Sequence, residues 1–405
     1  EPGRWRTSRT PYLKAIMDCL SPTSPVERIV FMKGAQVGAP LALTTPIPTP
    51  AGWTTMGDLH AGDQVFDEMG RPCWVIGVSP VFTERACFEM TFSDHTRITC
   101  DGTHLWTVWD EKQHNRAHLR TLKTADIAET FRCGRGHTRN RYAIDLARPL
   151  ELPERELPIH PYLLGVWLGN GHRSMNRISV HEDDGAEITA RLQSYGVNAS
   201  FILPRYRKGK VGEIVIDPRV GCPRRCSVTG RFVGNNSDAS FTDTLRIFHL
   251  QGNKFIPLLY LRASVEQRLE LLKGLMDTDG HVTCKGRCEF ATVLPTLHVG
   301  FRDLLASLGL KPTIYPYEAR HHAIAGRPVD SKAGWRFSFT AYRDRPVFSL
   351  ARKVARLRER ENGRPSETER RRIVDVRPVA SVPVRCIAVF SPNHLFLAGW
   401  QMVPT

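Results

Sequence analysis

Hydrophobic positions change their period three times along this chain. Near the start, PYLKAIMDCL carries apolar residues at helical spacing, SPTSP turns the chain, and RIVFM reads as a strand entering the glycine-bearing loop KGAQVG. From Leu41 the pattern shortens into apolar or alternating runs broken by Gly, Asp and Pro: TPIPTPAGW, MGDLHAGDQVFDEMG, CWVIGV, CFEMTFS, TRITC and HLWTVW. That pattern predicts an all-β region. Longer helical segments follow, chiefly HPYLLGVWLGNGHRS and RLELLKGLMDTDGHV, before the β style returns in RIVDVRPV, VPVRCIAVF and HLFLAGW. One β domain is therefore interrupted by a second, more helical domain, with segments 1–39, 40–150, 151–371 and 372–405.

Composition narrows the class. With 405 residues, 41% hydrophobic and 24% charged, the chain can bury real cores and is neither disordered nor fibrous. No apolar run approaches the ~18 residues of a bilayer span. EPGRWRTSR lacks the apolar stretch of a secretion signal. A soluble, intracellular monomer without membrane partners is expected. Fifty-six Lys+Arg against 41 Asp+Glu give a net charge of +15, and roughly +11 of it falls between residues 151 and 375. That balance favours a polyanion such as nucleic acid, bound by the central region. Arg173, Arg205, Arg207, Lys208, Lys210, Arg336 and Arg343 are reasonable phosphate contacts. The runs ARKVARLRER and ETERRR, which carry Glu359, Glu361, Glu367 and Glu369, read equally well as solvated helix faces. Ten cysteines are too sparse for a disulfide scaffold. Cys222/Cys226 and Cys284/Cys288 could supply four thiolates to zinc, although the usual knuckle has two residues between its cysteines.

A phosphate loop needs glycines for close backbone approach, then a Lys and a Ser or Thr. Here Gly34 and Gly38 are followed by Ala39 and Pro40, and no helix can begin in LALTTPIPTPAGW. The motif is cut off, which argues against a working ATPase. Up to that point the segment resembles the ATPase start of a phage terminase large subunit, with Lys33 in its deviant loop position and Ala39 in place of the second Lys.

Three pieces, LALTTPIPTPAGWTTMGDLHAGDQVFDEMGRP, TCDGTHLWTV and RCIAVFSPNHLFLAGWQMVPT, together resemble the N-terminal, histidine and C-terminal blocks of an intein. The resemblance makes Ala39-Pro40 the upstream splice junction. It also implies an all-β, horseshoe-shaped Hint splicing domain. Pro40 stands where the family keeps a Cys or Ser, and proline offers no nucleophile. One class of inteins lacks that first nucleophile and compensates with a Trp, a Cys and a Thr. His104 with Trp106, Cys386 in place of the usual Asp, and Thr405 after Val403-Pro404 match that class. Each met alone would read as a core residue; together, in block order, they point to chemistry. The resemblance implies that Cys386 attacks the Ala39 carbonyl to form a branched thioester, with Pro40 as the leaving amine. His104 then acts as general acid, Asp101 assists, and Trp106 offers bulk and an indole N–H to seat the thiol against the carbonyl. His394 occupies the place of the histidine that helps the C-terminal step. No cofactor is implied for splicing, and the terminase flanks act in cis. As written, the chain ends at Thr405 without the terminal His-Asn and the following Ser, Thr or Cys, so complete splicing is not expected of it.

HPYLLGVWLGNGHRS and RLELLKGLMDTDGHV resemble the two LAGLIDADG motifs of a homing endonuclease, an α/β domain. Gly165 and Gly274 would let the two helices pack closely. Asn170 and Asp279 would hold Mg²⁺ over a phosphodiester of double-stranded DNA, the partner being the uninterrupted terminase gene. Asn170 is a poor ligand for a hard cation, so cleavage is expected to be impaired. Asp277 is assigned to capping or packing. The alternative is a DNA-binding or DNA-cleaving protein whose β domain is spent. These likenesses place the protein in the cytoplasm of a bacterial host cell.

Overall fold

The computed structural model describes residues 40–111, 117–134, 138–173, 175–203, 210–217, 240–324, 327–360 and 369–405, together with Asp18. Ala39, Lys33, the KGAQVG loop, Cys222, Cys226, Arg205, Arg207 and Lys208 lie outside them.

Eight strands form the main sheet. They are β1 (Leu41–Ala42), β2 (Cys87–Phe92), β3 (Arg97–Asp101), β4 (Leu105–Asp110), β5 (His118–Lys123), β6 (Tyr142–Asp145), β7 (Arg370–Val379) and β8 (Val384–Arg385). Their spatial order is β8-β1-β3-β2-β7-β6-β4-β5, every neighbouring pair antiparallel. Strands from residues 41–145 and from residues 370–385 are thus interleaved within one sheet. Alternation explains the strands: along β4, Trp106, Val108 and Asp110 are buried while Leu105, Thr107 and Trp109 are only half-buried. Three further short strands follow: β9 (Ile387–Val389), which pairs with the strand Pro72–Val78, and the hairpin of β10 (Leu397–Ala398) with β11 (Val403–Pro404). One hydrophobic core joins residues between Leu41 and Ile144 to residues between Ile373 and Val403.

The central region has its own core, running from Ile159 to Leu357. Its two long helices of interest are α2 (Pro161–Asn170) and α3 (Val265–Thr278), numbered after α1 (Thr124–Thr130). Pro161 at the first position and the His160 imidazole, which accepts from Tyr162 N–H, start α2. Every residue from Pro161 to Leu168 is buried, so α2 has no solvent face. Ser264 and Gln267 form a capping box at the start of α3. The helices meet at glycines: a Cβ on Gly165 would stand 2.3 Å from Leu271 O, and one on Gly274 would stand 2.3 Å from Tyr162 O. Flanking this pair are the sheets of Arg177–His181, Val211–Ile216 and Ala199–Ile202, and of Gly280–Val282, Cys288–Thr292, Gly334–Phe339 and Thr313–Tyr317.

The two regions are fused along α4 (Pro295–Ser307). Asp303 Oδ2 accepts from Trp53 Nε1 at 2.8 Å, and the Arg302 guanidinium lies 4.5 Å from the Trp400 ring. Phe66, Ala147, Leu150, Leu152, Ala306, Leu397 and Met402 make a small core of their own there. Arg268, fully buried in α3, donates to the carbonyls of Ala263, Ser307 and Leu150. No helix among the described residues is long and apolar enough to cross a membrane.

Candidate functional site

The candidate junction precedes β1, one strand in from the edge of the main sheet. On one side of β1, Leu41 faces Arg385 and Ala42 faces Val384; on the other, Leu41 faces Cys100. Continuing the first register by one residue sets Pro40 across from Cys386. Pro40 is buried, and its carbonyl accepts from Asp101 N–H at 3.0 Å. Cys386 is 5% exposed, and Ser79 grips its backbone from both sides. Ser79 N–H donates to Cys386 O at 2.9 Å, and Ser79 Oγ accepts from Cys386 N–H at 3.0 Å.

His104 and Trp106 are fully buried on β4 and its approach. Their rings meet edge to face, with centroids 4.6 Å apart. His104 N–H donates to Asp101 O. The indole N–H of Trp106 does not point to a thiol at Cys386: it donates to Thr124 Oγ1 at 3.0 Å. That corrects the expectation that this N–H seats the nucleophile, because a single indole donor is already used. Asp101 is also committed. Its Oδ1 accepts from Thr103 N–H and Oγ1 at 2.5 Å each, and its Oδ2 lies 3.6 Å from Arg85 Nε.

Thr405 is buried, and its backbone exchanges two hydrogen bonds with Phe396. Its hydroxyl has no hydrogen-bond partner among the described residues. His394 sits in the turn before β10 with φ at +57°, in the left-handed region that costs a non-glycine residue energy. Asn393 beside it donates to Glu68 Oε1 at 2.6 Å. Behind β11, Arg371 joins Asp94 at 2.6 Å and Gln401 O at 2.7 Å, all of it buried.

In the central region Asn170 ends α2 and Asp279 caps α3. A Cβ added to Gly169 would lie 3.6 Å from Asp279 Cγ, so Asp279 stands beside the end of the opposite helix. Asp279 keeps solvent access, yet the surrounding protein raises its carboxyl pKa by desolvation, with Lys254 and Lys353 opposing. Lys254 Nζ donates to Gly169 O at 2.8 Å. Lys353 Nζ donates to the carbonyls of Met276, Asp277 and Gly280 at 2.8–2.9 Å, closing the end of α3. Burial pushes both lysines down to about 8. Asp277 is buried and accepts from Tyr162 OH, Ser349 N–H and Leu350 N–H. It is a structural acceptor.

Of the basic candidates, Arg173, Lys210 and Arg336 are exposed, whereas Arg343 pairs with Glu359 at 2.7 Å. The run ARKVARLRER is largely structural: Arg352 forks onto Asp184, Lys353 is buried, and Arg360 pairs with Asp344 and Glu369. Cys284 is exposed and Cys288 buried, and no group of three His, Cys, Asp or Glu is poised for a metal among the described residues. Sequence reasoning missed Thr124, Ser79, Lys254, Lys353 and Arg371. None of them stood out in the sequence: Lys254 follows the polar run QGN, and Lys353 sits beside Arg352 in the basic run ARKVARLRER.

Residues 1–47 match the family described as phage terminase large subunit gpA, ATPase domain. The chain is 33% identical over 384 residues to a replicative DNA helicase DnaB of Mycobacterium intracellulare, covering 91% of this chain and 58% of that protein. It is 31% identical over 167 residues to an ATP-dependent DNA helicase Hel308 of Thermococcus kodakarensis, covering 38% and 13%. The chain thus spans little more than half of the first relative and a small part of the second. Among solved structures it is similar to the Msm DnaB1 intein splicing domain bound with zinc, at 16% identity and a TM-score of 0.27, covering 90% of this chain and 98% of that one. It is also similar to the homing endonuclease I-DmoI in complex with DNA and Ca, at 13% identity and a TM-score of 0.28, covering 48% and 94%.

Proposed function

We propose that this chain is a protein-splicing element of the class without a first nucleophile, set in a phage terminase large subunit and carrying a LAGLIDADG-type DNA-cleaving insert. The observation that supports the reading is the register of β1 and β8, Leu41 with Arg385 and Ala42 with Val384, which continued by one residue would set Pro40 level with Cys386. The Cys386 thiol gives its proton to the His104 imidazole, and the sulfur attacks the Ala39 carbonyl. The Ala39–Pro40 C–N bond breaks, and the imidazolium of His104 protonates the departing proline nitrogen. The products are a thioester on Cys386 and a free amine at Pro40. The hairpin register adds support for the second junction, since the ladder of Phe396 with Thr405, continued two residues onward, reaches the level of His394. A terminase match over residues 1–47 beside a helicase relative covering 91% of the chain fits one mobile module found in two hosts.

For the insert, the donor set is one carboxylate, Asp279, and one amide, Asn170. These would hold Mg²⁺ weakly, the ion supplying polarisation of a phosphodiester. The exposed Arg173, Lys210 and Arg336 would bind the duplex backbone.

The test is to incubate the full chain with excess dithiothreitol at neutral pH and follow its mass. Release of residues 1–39 is expected, and Cys386→Ala should abolish it. An intact mass in the folded parent, or undiminished release in Cys386→Ala, sinks the branched-thioester route.

A further inference from the structure

The first residue of α1, Thr124, lies outside every motif that suggested the reaction, yet it is fully buried among the residues that carry it. Its hydroxyl has one proton and two lone pairs, and all three are used. The O–H donates to His104 O at 3.2 Å, and the same carbonyl accepts from Thr124 N–H at 2.9 Å. One lone pair accepts from Trp106 Nε1–H at 3.0 Å, and the other lies 3.3 Å from Cys100 Sγ. Burial pushes the Cys100 thiol up to about 12, so it keeps its proton and donates. Cys100 is in turn the residue that faces Leu41, one position past the candidate junction. The hydroxyl therefore ties together the β3 strand beside the junction, the backbone of the histidine and the ring against which that histidine packs.

We propose that Thr124 is the positioning residue of the N-terminal acyl transfer, fixing the Trp106 ring and the backbone of His104, the residue that carries the general-acid imidazole. The inference rests on the splicing reading for its chemistry but on the hydroxyl's three contacts for its geometry. Threonine at this position does work that an apolar isostere cannot. Valine has the same shape without the donor or the acceptors, and would leave the indole N–H buried and unpaired.

The experiment compares Thr124→Val and Thr124→Ser in the full chain. Thiol-triggered release of residues 1–39 is expected to fall about ten- to hundredfold in Thr124→Val, as misplacement of a reacting group costs. Thr124→Ser should recover most of the rate. Equal rates in the valine form and the parent, or equal impairment of the valine and serine forms, overturn the proposal, the latter because it would mean that packing alone matters. A second reading does not depend on cleavage. In nitrogen-labelled protein the Trp106 indole N–H resonance should shift and exchange faster in Thr124→Val but not in Thr124→Ser, and the His104 imidazole should change its titration in step. If the parent releases nothing, the splicing reading fails while these signals still decide the positioning. Unchanged signals in the valine form refute it. Should that form not fold, Thr124→Ala removes the same hydroxyl without the added methyl.

Discussion

Replacing Gly165 by alanine tests the packing that brings Asn170 and Asp279 together. The added Cβ would meet Leu271 O at 2.3 Å, Leu275 N at 2.9 Å and the Gly274 Cα at 3.0 Å. All three are backbone atoms, so no side chain can turn aside. Ordinary contact requires the helices to part by about 1 Å, and a gap of that size forfeits roughly a quarter to a half of each van der Waals well across the seam. Overpacking of this kind costs about 1–3 kcal/mol, and more where backbone must shift. Against it stands the intrinsic preference of a helix for alanine over glycine, worth about 1 kcal/mol. Packing wins, with a net loss of about 2 kcal/mol. The assay is urea denaturation followed by circular dichroism, with Gly77→Ala as control, because a Cβ there would meet only Ala388 Cβ at 3.8 Å. The control should stay within about 0.5 kcal/mol of the parent. A Gly165→Ala form as stable as the parent would show that the two helix backbones are not in contact.

Asn170→Asp is expected to speed linearisation of a plasmid carrying the uninterrupted terminase site in Mg²⁺, with any binding by both forms weakening steeply as salt rises; equal cutting by the two forms contradicts the carboxylate argument. Trp106→Ala is expected to cost about 3–5 kcal/mol, since the ring is fully buried. A loss in thermal unfolding below about 1 kcal/mol would show that the indole is not part of the core. Burial lowers His160 to about 4, offset in part by Glu270, so the unfolded chain takes up a proton first and stability drains away as pH falls from about 6.5 towards 4. His160→Asn keeps a capping acceptor and should lose less over that interval, by about 1–3 kcal/mol after allowing for solvent screening; parallel stability curves would reject the assignment.

The β elements were legible because alternation reports a half-buried face: HLWTVW has it and becomes β4. The glycine contact of α2 with α3 was legible too, since Gly165 and Gly274 fall at matching places in two similar apolar segments. What could not be read was which atoms use which donors. Thr124 meets Trp106 from 18 residues away and Cys100 from 24, Ser79 meets Cys386 from 307, and Arg371 meets Asp94 from 277. Such pairs have no period, and only the folded sheet brings them together. The indole of Trp106 shows the effect most clearly. Its residue type suggested a donor for the thiol, and its real partner was an unremarked hydroxyl.

The joint along α4 bears on how such a chain could be shortened. A guest hung on two flexible tethers can be cut out and leave a surface already suited to water. Here removal of the central region would strip Ala306 from Phe66, Leu150, Leu397 and Met402, take Asp303 from Trp53, and leave the Leu150 carbonyl without Arg268. The remainder would carry an apolar scar, and exposed apolar patches of that kind drive association. A trimmed descendant has to repaint that face with polar side chains before it can stand alone. Loss of the guest is therefore a matter of several coordinated substitutions, and a bare deletion should yield a sticky protein even where every residue around Cys386 is intact.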